Sequence, residues 1–108
     1  MAKRIHLRIT ETAKEQIQSF LANAKAPDVL PGLLLSSETR QQPAFWHIGL
    51  YTKDQVRDIE ATYASNGFVG LVAMYEAEDM ELCIPQAQLV SQLEGKTLDY
   101  RDGRYVIT

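Results

Sequence analysis

One cysteine is present in 108 residues. A single thiol excludes an internal disulfide and any paired-cysteine metal or redox motif. Histidine is nearly as scarce, with two copies, so nucleophile–base pairs and imidazole metal sites have few ways to form. Six scattered glycines make no phosphate-cradling loop, and no Gly-x-Ser-x-Gly elbow occurs. No apolar run approaches the roughly 20 residues of a membrane helix. The opening Met1-Ala2-Lys3-Arg4-Ile5-His6 has no apolar stretch behind its charges and does not read as a signal peptide. The expectation is a cytoplasmic chain without membrane association. Positive charge is also in short supply. Eleven Lys and Arg against fourteen Asp and Glu leave a net charge of −3, without the basic excess that nucleic-acid binding draws on.

What is present is the composition of a single globular domain over 1–108, with 45% hydrophobic and 23% charged residues. Ile5-His6-Leu7-Arg8-Ile9 alternates as a half-buried strand does. Thr10 then reads as an N-cap with Glu11 in the first turn. Ala13, Ile17, Phe20, Leu21 and Ala24 recur at helical spacing, which predicts a long helix over about 11–24. Pro27 and Pro31 punctuate a connection to a buried strand at Gly32-Leu33-Leu34-Leu35. Ser36 to Pro43 is polar until its closing proline and reads as a long loop. Ala44 to Tyr51 resumes as a strand.

Between 52 and 67 two readings are open. Thr52-Lys53-Asp54-Gln55 matches a capping box, and Val56, Ile59 and Tyr63 follow at helical spacing. Yet Ile59, Ala61 and Tyr63 alternate, and Asn66-Gly67 serves a hairpin turn as well as a helix C-terminus. The excess of Gln, Arg, Glu and Ala over β-branched residues favours the helix. Phe68 to Tyr75 is expected as a strand, followed by an acidic turn and a returning strand carrying Met80, Leu82 and Ile84. Pro85 opens a short helix that Gly95 stops, and Asp102-Gly103 joins a terminal hairpin. The fold class is α+β: a mostly antiparallel or mixed sheet, one long N-terminal helix and short additional ones.

Candidate chemistry is sparse. Cys83 with His47 or His6 is the one possible Cys–His arrangement, and a carboxylate beside the thiol at Glu81 would raise its pKa rather than lower it. His47, between Trp46 and Ile48, suits a hydrogen-bonded sheet histidine better than a ligand. Cys83 and His47 are therefore the only metal-ligand candidates, and no cofactor is expected. Glu76, Glu78, Asp79 and Glu81 lack the spacing of a calcium loop and read as a solvated turn. Phe45, Trp46, Tyr51, Phe68, Tyr75, Tyr100 and Tyr105 are expected on strands, in cross-strand packing. The polar loop is the expected interaction surface, through Glu38, Arg40, Gln41 and Gln42.

Two stretches carry a family resemblance. Ile9-Thr10-Glu11-Thr12-Ala13, followed by Ile17, is similar to the strand-to-helix opening of the HesB-like family, the A-type iron–sulfur carriers. Leu93-Glu94-Gly95-Lys96-Thr97-Leu98-Asp99-Tyr100 resembles that family's Leu-Asp-Gly-x-x-Ile-Asp-Tyr segment, and Trp46-His47-Ile48-Gly49-Leu50 its aromatic-x-Leu-Gly-Leu strand. The resemblance implies a HesB-like β-sandwich. It also implies three cluster-ligating cysteines, one in a glycine-rich loop and two in a C-terminal Cys-Gly-Cys. The loop position falls near Gln41, in a run without glycine or cysteine, and the sequence closes at Thr108 without a counterpart of the pair. Cys83 matches none of the three positions, and one thiol cannot hold a cluster. The segment 52–68 is longer than the family's connection.

The expectation is a non-enzymatic, cysteine-depleted HesB-like domain acting as a binding or accessory protein. A protein partner or small ligand would meet the loop at 36–43 and the segment at 52–66, and homo-oligomerisation stays open. One alternative is an iron–sulfur assembly or iron-binding factor using Cys83 with non-cysteine ligands. Another is an enzyme with Cys83 as nucleophile.

Overall fold

The computed structural model describes residues 3–24 and 28–108, so Pro27 lies outside the described residues. The described elements are short N-terminal strands β1 (Lys3–Arg4) and β2 (Arg8–Ile9), helix α1 (Glu11–Asn23), the paired strands β3 (Val29–Ser36) and β4 (Phe45–Thr52), and helix α2 (Lys53–Ser65). There follow β5 (Met74–Ala77), β6 (Met80–Cys83), a 3₁₀ turn at Ala87–Leu89, α3 (Val90–Leu93), β7 (Thr97–Arg101) and β8 (Arg104–Ile107). The fold is α+β, with one eight-stranded mixed sheet in the order β1-β5-β6-β3-β4-β8-β7-β2. The β1–β5, β2–β7 and β3–β6 pairs are parallel and the rest antiparallel.

That order begins and ends on the same stretch of chain. Lys3–Arg4 pair with β5 and Arg8–Ile9 with β7, so Lys3–Ile9 changes partner midway and closes the sheet on itself. Backbone hydrogen bonds carry the change: Ile5 N–H donates to Glu76 C=O, Gly95 N–H to His6 C=O, and Arg8 N–H to Lys96 C=O. The expected alternation supplies the driving force. Ile5, Leu7 and Ile9 are buried in the main core, each contributing about 2 kcal/mol by burial, while Arg4, His6 and Arg8 face out. Two carboxylates hold the crossover from outside. Glu94 accepts from the His6 N–H and lies 2.5 Å from its Nδ1, and Glu78 accepts from Ile9 N–H at 2.8 Å.

Helix α1 begins at Thr10, whose Oγ1 accepts from Ala13 N–H at 3.2 Å. Ala13 and Ile17 are its buried residues. Helix α2 settles the ambiguity over 52–67 as a helix, with both bonds of the Thr52–Gln55 capping box formed. It is as long as α1, 13 residues each, which corrects the expectation of one long helix with short companions. Gly67 ends it at φ +90°, with Phe68 N–H to Tyr63 C=O and Gly67 N–H to Ala64 C=O. That is the Schellman arrangement.

Three further expectations need correction. Phe68–Val72 is not strand: Gly70 at φ +88° turns the chain back, with Leu71 N–H donating to Phe68 C=O, and β5 starts only at Met74. A second glycine at positive φ breaks what its Val- and Leu-rich composition favours. Pro31 does not lie in a connection but inside β3, opposite Leu50. The neighbouring β6 pairs with β3 only at Gly32↔Cys83, so an interrupted ladder accommodates a residue without an N–H. Ser36 belongs to β3, and the loop runs from 37 to 44. Beyond Gly32 the β3 edge is completed by a side chain: the Gln86 amide accepts from Leu35 N–H at 2.9 Å and donates to Leu35 C=O at 3.1 Å.

The sheet has buried residues on both faces. Leu33, Leu82, Ile84 and Leu98 join the N-terminal segment, α1, Leu89 and Leu93 in the main core. On the other face Val56 of α2 covers Leu30, Ala73 and Cys83, with Tyr51, Ile59, Tyr63 and Met74 around them. The Tyr51 ring lies on the bare backbone of Gly32, where an added Cβ would stand 2.3 Å from two ring carbons. Gly32→Ala is therefore expected to destabilise the fold by about 1–3 kcal/mol through overpacking, read as a lower urea midpoint; an unchanged midpoint would show that the ring moves freely. The Glu94 carboxyl sits below its usual range because of the His6 hydrogen bond, reinforced by His6 and Lys3 charge. A depressed carboxyl stabilises above its unfolded pKa and stops doing so as pH falls through the folded one. The stability gap between wild type and Glu94→Gln should accordingly shrink under acid, measured by denaturation across pH 2–7.

Candidate functional site

The loop after β3 is tied by one residue. Thr39 N–H donates to Gln42 C=O at 2.8 Å, and Thr39 Oγ1 accepts from the Gln41 and Gln42 N–H groups at 3.3 and 3.1 Å. Glu38, Arg40, Gln41 and Gln42 all point to solvent. Of these four only Gln42 reaches a concavity, and it does so together with Pro43 and Ala44. The segment at 52–66 does not share that surface. Val29 pairs with Thr52 and Ser36 with Phe45, so α2 starts at one end of the β3–β4 hairpin and the loop sits at the other, about 23 Å away at strand rise. A single small ligand touching both the loop and the start of α2 is excluded by that separation.

The concavity lies where β4 meets β8. These strands pair at one position, Trp46↔Tyr105, and the seam opens on both sides of it. A cavity of about 650 Å³ runs between Gln42–Trp46 and Gly103–Ile107. A second, of about 300 Å³, extends under α1 to Gln16, Phe20 and Tyr100. Phe45, Trp46, Gly103, Arg104 and Tyr105 line both, with Trp46 and Tyr105 turned toward the main core and Phe45, on His47, turned to the other face. The lining is aromatic and locally ordered: Tyr100 and Tyr105 are opposite each other and pack edge to face at 4.9 Å between centroids. Partial burial, with Tyr100 beside it, pushes the Tyr105 hydroxyl up to about 12, so it stays a neutral donor at physiological pH. Phe20 stands 39% exposed at the rim. The combined size and character suit a small organic molecule rather than a metal.

The cleft draws residues from α1, β4, β7 and β8, and sequence reading assigned these aromatics to packing alone. The only available signal was the density of aromatics around 45–46 and 100–105. Phe68, expected among the strand aromatics, is instead 59% exposed in the turn after α2, beside Val69 at 84%.

The metal-ligand candidates fall elsewhere and apart. Cys83 is fully buried beneath α2, which hides the strand face opposite Leu82 and Ile84. Burial pushes its thiol up to about 12, with a further contribution from Glu60; the carboxylate that matters is on α2, not the adjacent Glu81. His47 faces Ser36, with Nε2 2.9 Å from Oγ, and its ring packs on Phe45. Strand β3 runs between them, since Cys83 lies opposite Gly32 on one flank and His47 opposite Leu34 on the other. His6 is occupied by Glu94. In the acidic group Glu76 pairs with Arg4 and Glu78 with Ile9 N–H and Lys14. Glu78 and Asp79 take positive φ, 46° and 66°, in a two-residue turn that costs about 1 kcal/mol per residue without glycine. Among the described residues no three His, Cys, Asp or Glu side chains converge as a metal site would require, and no helix is long and apolar enough to cross a membrane.

A raised thiol pKa stabilises the fold below the unfolded value and is lost as pH rises toward the folded one. Wild type should therefore lose more stability than Cys83→Ala between about pH 9 and 12, measured as urea midpoints, and the native thiol should resist alkylation at pH 8 until the chain unfolds. Rapid native alkylation would contradict the burial.

No family model matches the chain, and no curated protein matches it in sequence.

Proposed function

We propose that the chain is a HesB-like β-sandwich domain whose loop carries no cluster-ligating cysteine, a non-enzymatic cytoplasmic protein that binds a small organic ligand in the cleft between β4 and β8. Support for the scaffold comes from contact between the two stretches that carry the resemblance. Thr10 Oγ1 donates to Asp99 Oδ1 at 2.7 Å, and Thr10 N–H donates to Leu98 C=O. The same hydroxyl caps α1 by accepting from Ala13 N–H, and Ala13 has no exposed surface. An Ile-Thr-x-x-Ala opening and a Leu-Asp-Tyr strand thus depend on each other physically. The Asp99 carboxyl is held below its usual range by Thr10 first, then by Arg101 and Tyr100 N–H, so it remains an ionised acceptor at neutral pH.

The observation that carries the binding reading is the wall of the cleft. The end of the loop, Gln42–Ala44, and the last strand with the turn residue before it, Gly103–Ile107, face each other across about 650 Å³. In the family the resemblance implies, one of the three cluster thiolates would come from this loop. Here the wall offers Phe45, Trp46, Tyr105, an amide and a guanidinium, none of them a soft ligand for iron. Burial of Cys83 away from the cleft gives the iron-binding and nucleophile alternatives no geometric support.

Two measurements test this. Anaerobic incubation with ferrous iron and sulfide is expected to leave the protein colourless, whereas a brown species lost in Cys83→Ser would overturn it. A library of small aromatic fragments, screened by amide NMR, should perturb the Trp46 indole N–H and the β8 amides first. Shifts confined to α2 or to the turn after it would place binding elsewhere and reject the cleft.

A further inference from the structure

The terminal hairpin sets two like charges against each other. Arg101 and Arg104 occupy opposite register positions on β7 and β8, an arrangement that is destabilising unless each charge is answered. Arg101 is answered: its Nε donates to Asp99 Oδ2 at 2.6 Å. No carboxylate lies within ion-pair distance of Arg104 among the described residues. Arg104 is also the one fully charged side chain lining either half of the cleft. An acidic protein, net −3, thus keeps an exposed cation without an ion-pair partner in the lining of its concavity of about 650 Å³.

Resting on the reading of this cleft as a ligand site, we propose that its ligand is a small aromatic carboxylate. Its ring would lie on Phe45 and its carboxylate on the Arg104 guanidinium, two residues that the strand alternation sets on one face of the β4–β8 seam, opposite the core-facing Trp46↔Tyr105 pair. Each part of that chemistry has a counterpart on the wall. The Phe45 ring, tilted on His47, suits a planar apolar body in offset or edge-on contact. A guanidinium presents parallel N–H donors in the plane a carboxylate matches. One cation answers one negative charge, whereas a phosphate monoester carrying nearly two would call for a second, and Arg101 is engaged by Asp99. Of the polar groups around Arg104, Gln16 and Gln42 are neutral amides, and His47 is engaged by Ser36 Oγ. The cavity volumes, about 650 and 300 Å³, fall in the range of small-molecule sites and set the occupant as a small molecule rather than a protein segment.

The test uses a matched pair of probes on the full chain, naphthalene-2-carboxylate and the neutral naphthalene-2-carboxamide, titrated by calorimetry with the Trp46 indole N–H followed by NMR. The carboxylate should bind about tenfold more tightly, as expected of a charge-assisted hydrogen-bonded pair. Arg104→Gln should weaken the carboxylate far more than the amide and so bring the two affinities together, and Arg104→Lys should retain part of the preference. Arg104 is exposed in a turn-flanking position, so both variants should fold, checked by circular dichroism. Equal binding of the two probes, or a preference that survives Arg104→Gln, overturns the proposal while leaving the cleft as a ligand site. Failure of both probes to perturb Trp46 overturns the cleft reading and this proposal with it.

Discussion

The change of partner within Lys3–Ile9 is the interaction on which the rest of the structure depends. Its first residues complete a ladder with β5 and its last complete one with β7, so one short segment closes a sheet that would otherwise end in two open edges. Because Ile5, Leu7 and Ile9 all point inward, the same segment supplies part of the main core. Everything downstream is registered against it. Thr10 follows directly and fixes both the start of α1 and the position of Asp99, and Asp99 in turn holds Arg101. The charge geometry of the cleft therefore descends, through three side chains, from the N-terminal crossover.

Closure also accounts for the seam. β4 and β8 meet at a single register position, Trp46↔Tyr105, and large side chains bridge where the backbone ladder does not. Aromatic groups are the economical way to do this, since each buries a wide area with few rotatable bonds. The residues that weld the two halves of the sheet are the same ones that line its concavity. Packing alone accounts for their presence, and their partial exposure at the rim, with Phe20 and Arg104 beside them, is what leaves the concavity open.

Local features of the fold were readable in the sequence and remote ones were not. The Thr10 cap, the Thr52–Gln55 box and the Asp102–Gly103 turn each depend on residues within a few positions, and all three occur. The strand expected over Ile5–Ile9 keeps its alternating burial but is strand only at Arg8–Ile9, because the segment changes partner there. Phe68–Val72 misled because composition favours a strand there while Gly67 and Gly70 at positive φ impose turns; side-chain preference yielded to backbone freedom. Pro31 misled in the opposite sense, a punctuation residue placed inside β3 because the adjacent ladder is interrupted. The burial of Cys83 followed from α2 folding over it, and that long-range packing leaves no periodic trace. The cleft was harder still. Its walls come from α1, β4, β7 and β8, and only Gln42 of the four loop residues expected at an interface belongs to it. Polarity marked the loop tip, whereas the concavity is built from side chains whose spacing is that of ordinary strands.

Gln86 carries a different implication. Its amide offers β3 one donor and one acceptor at Leu35, the pair of groups another backbone would present there. A ladder position filled by a side chain can be vacated by rotation about single bonds, without moving a strand. At this one place the protection of the sheet against foreign strands is reversible and depends on a single residue. Drift at position 86 toward an apolar side chain would preserve the fold and its core, yet expose a templating edge beside Leu35. Such a change would register as aggregation during expression, on top of the cost of leaving the Leu35 N–H and C=O unpaired.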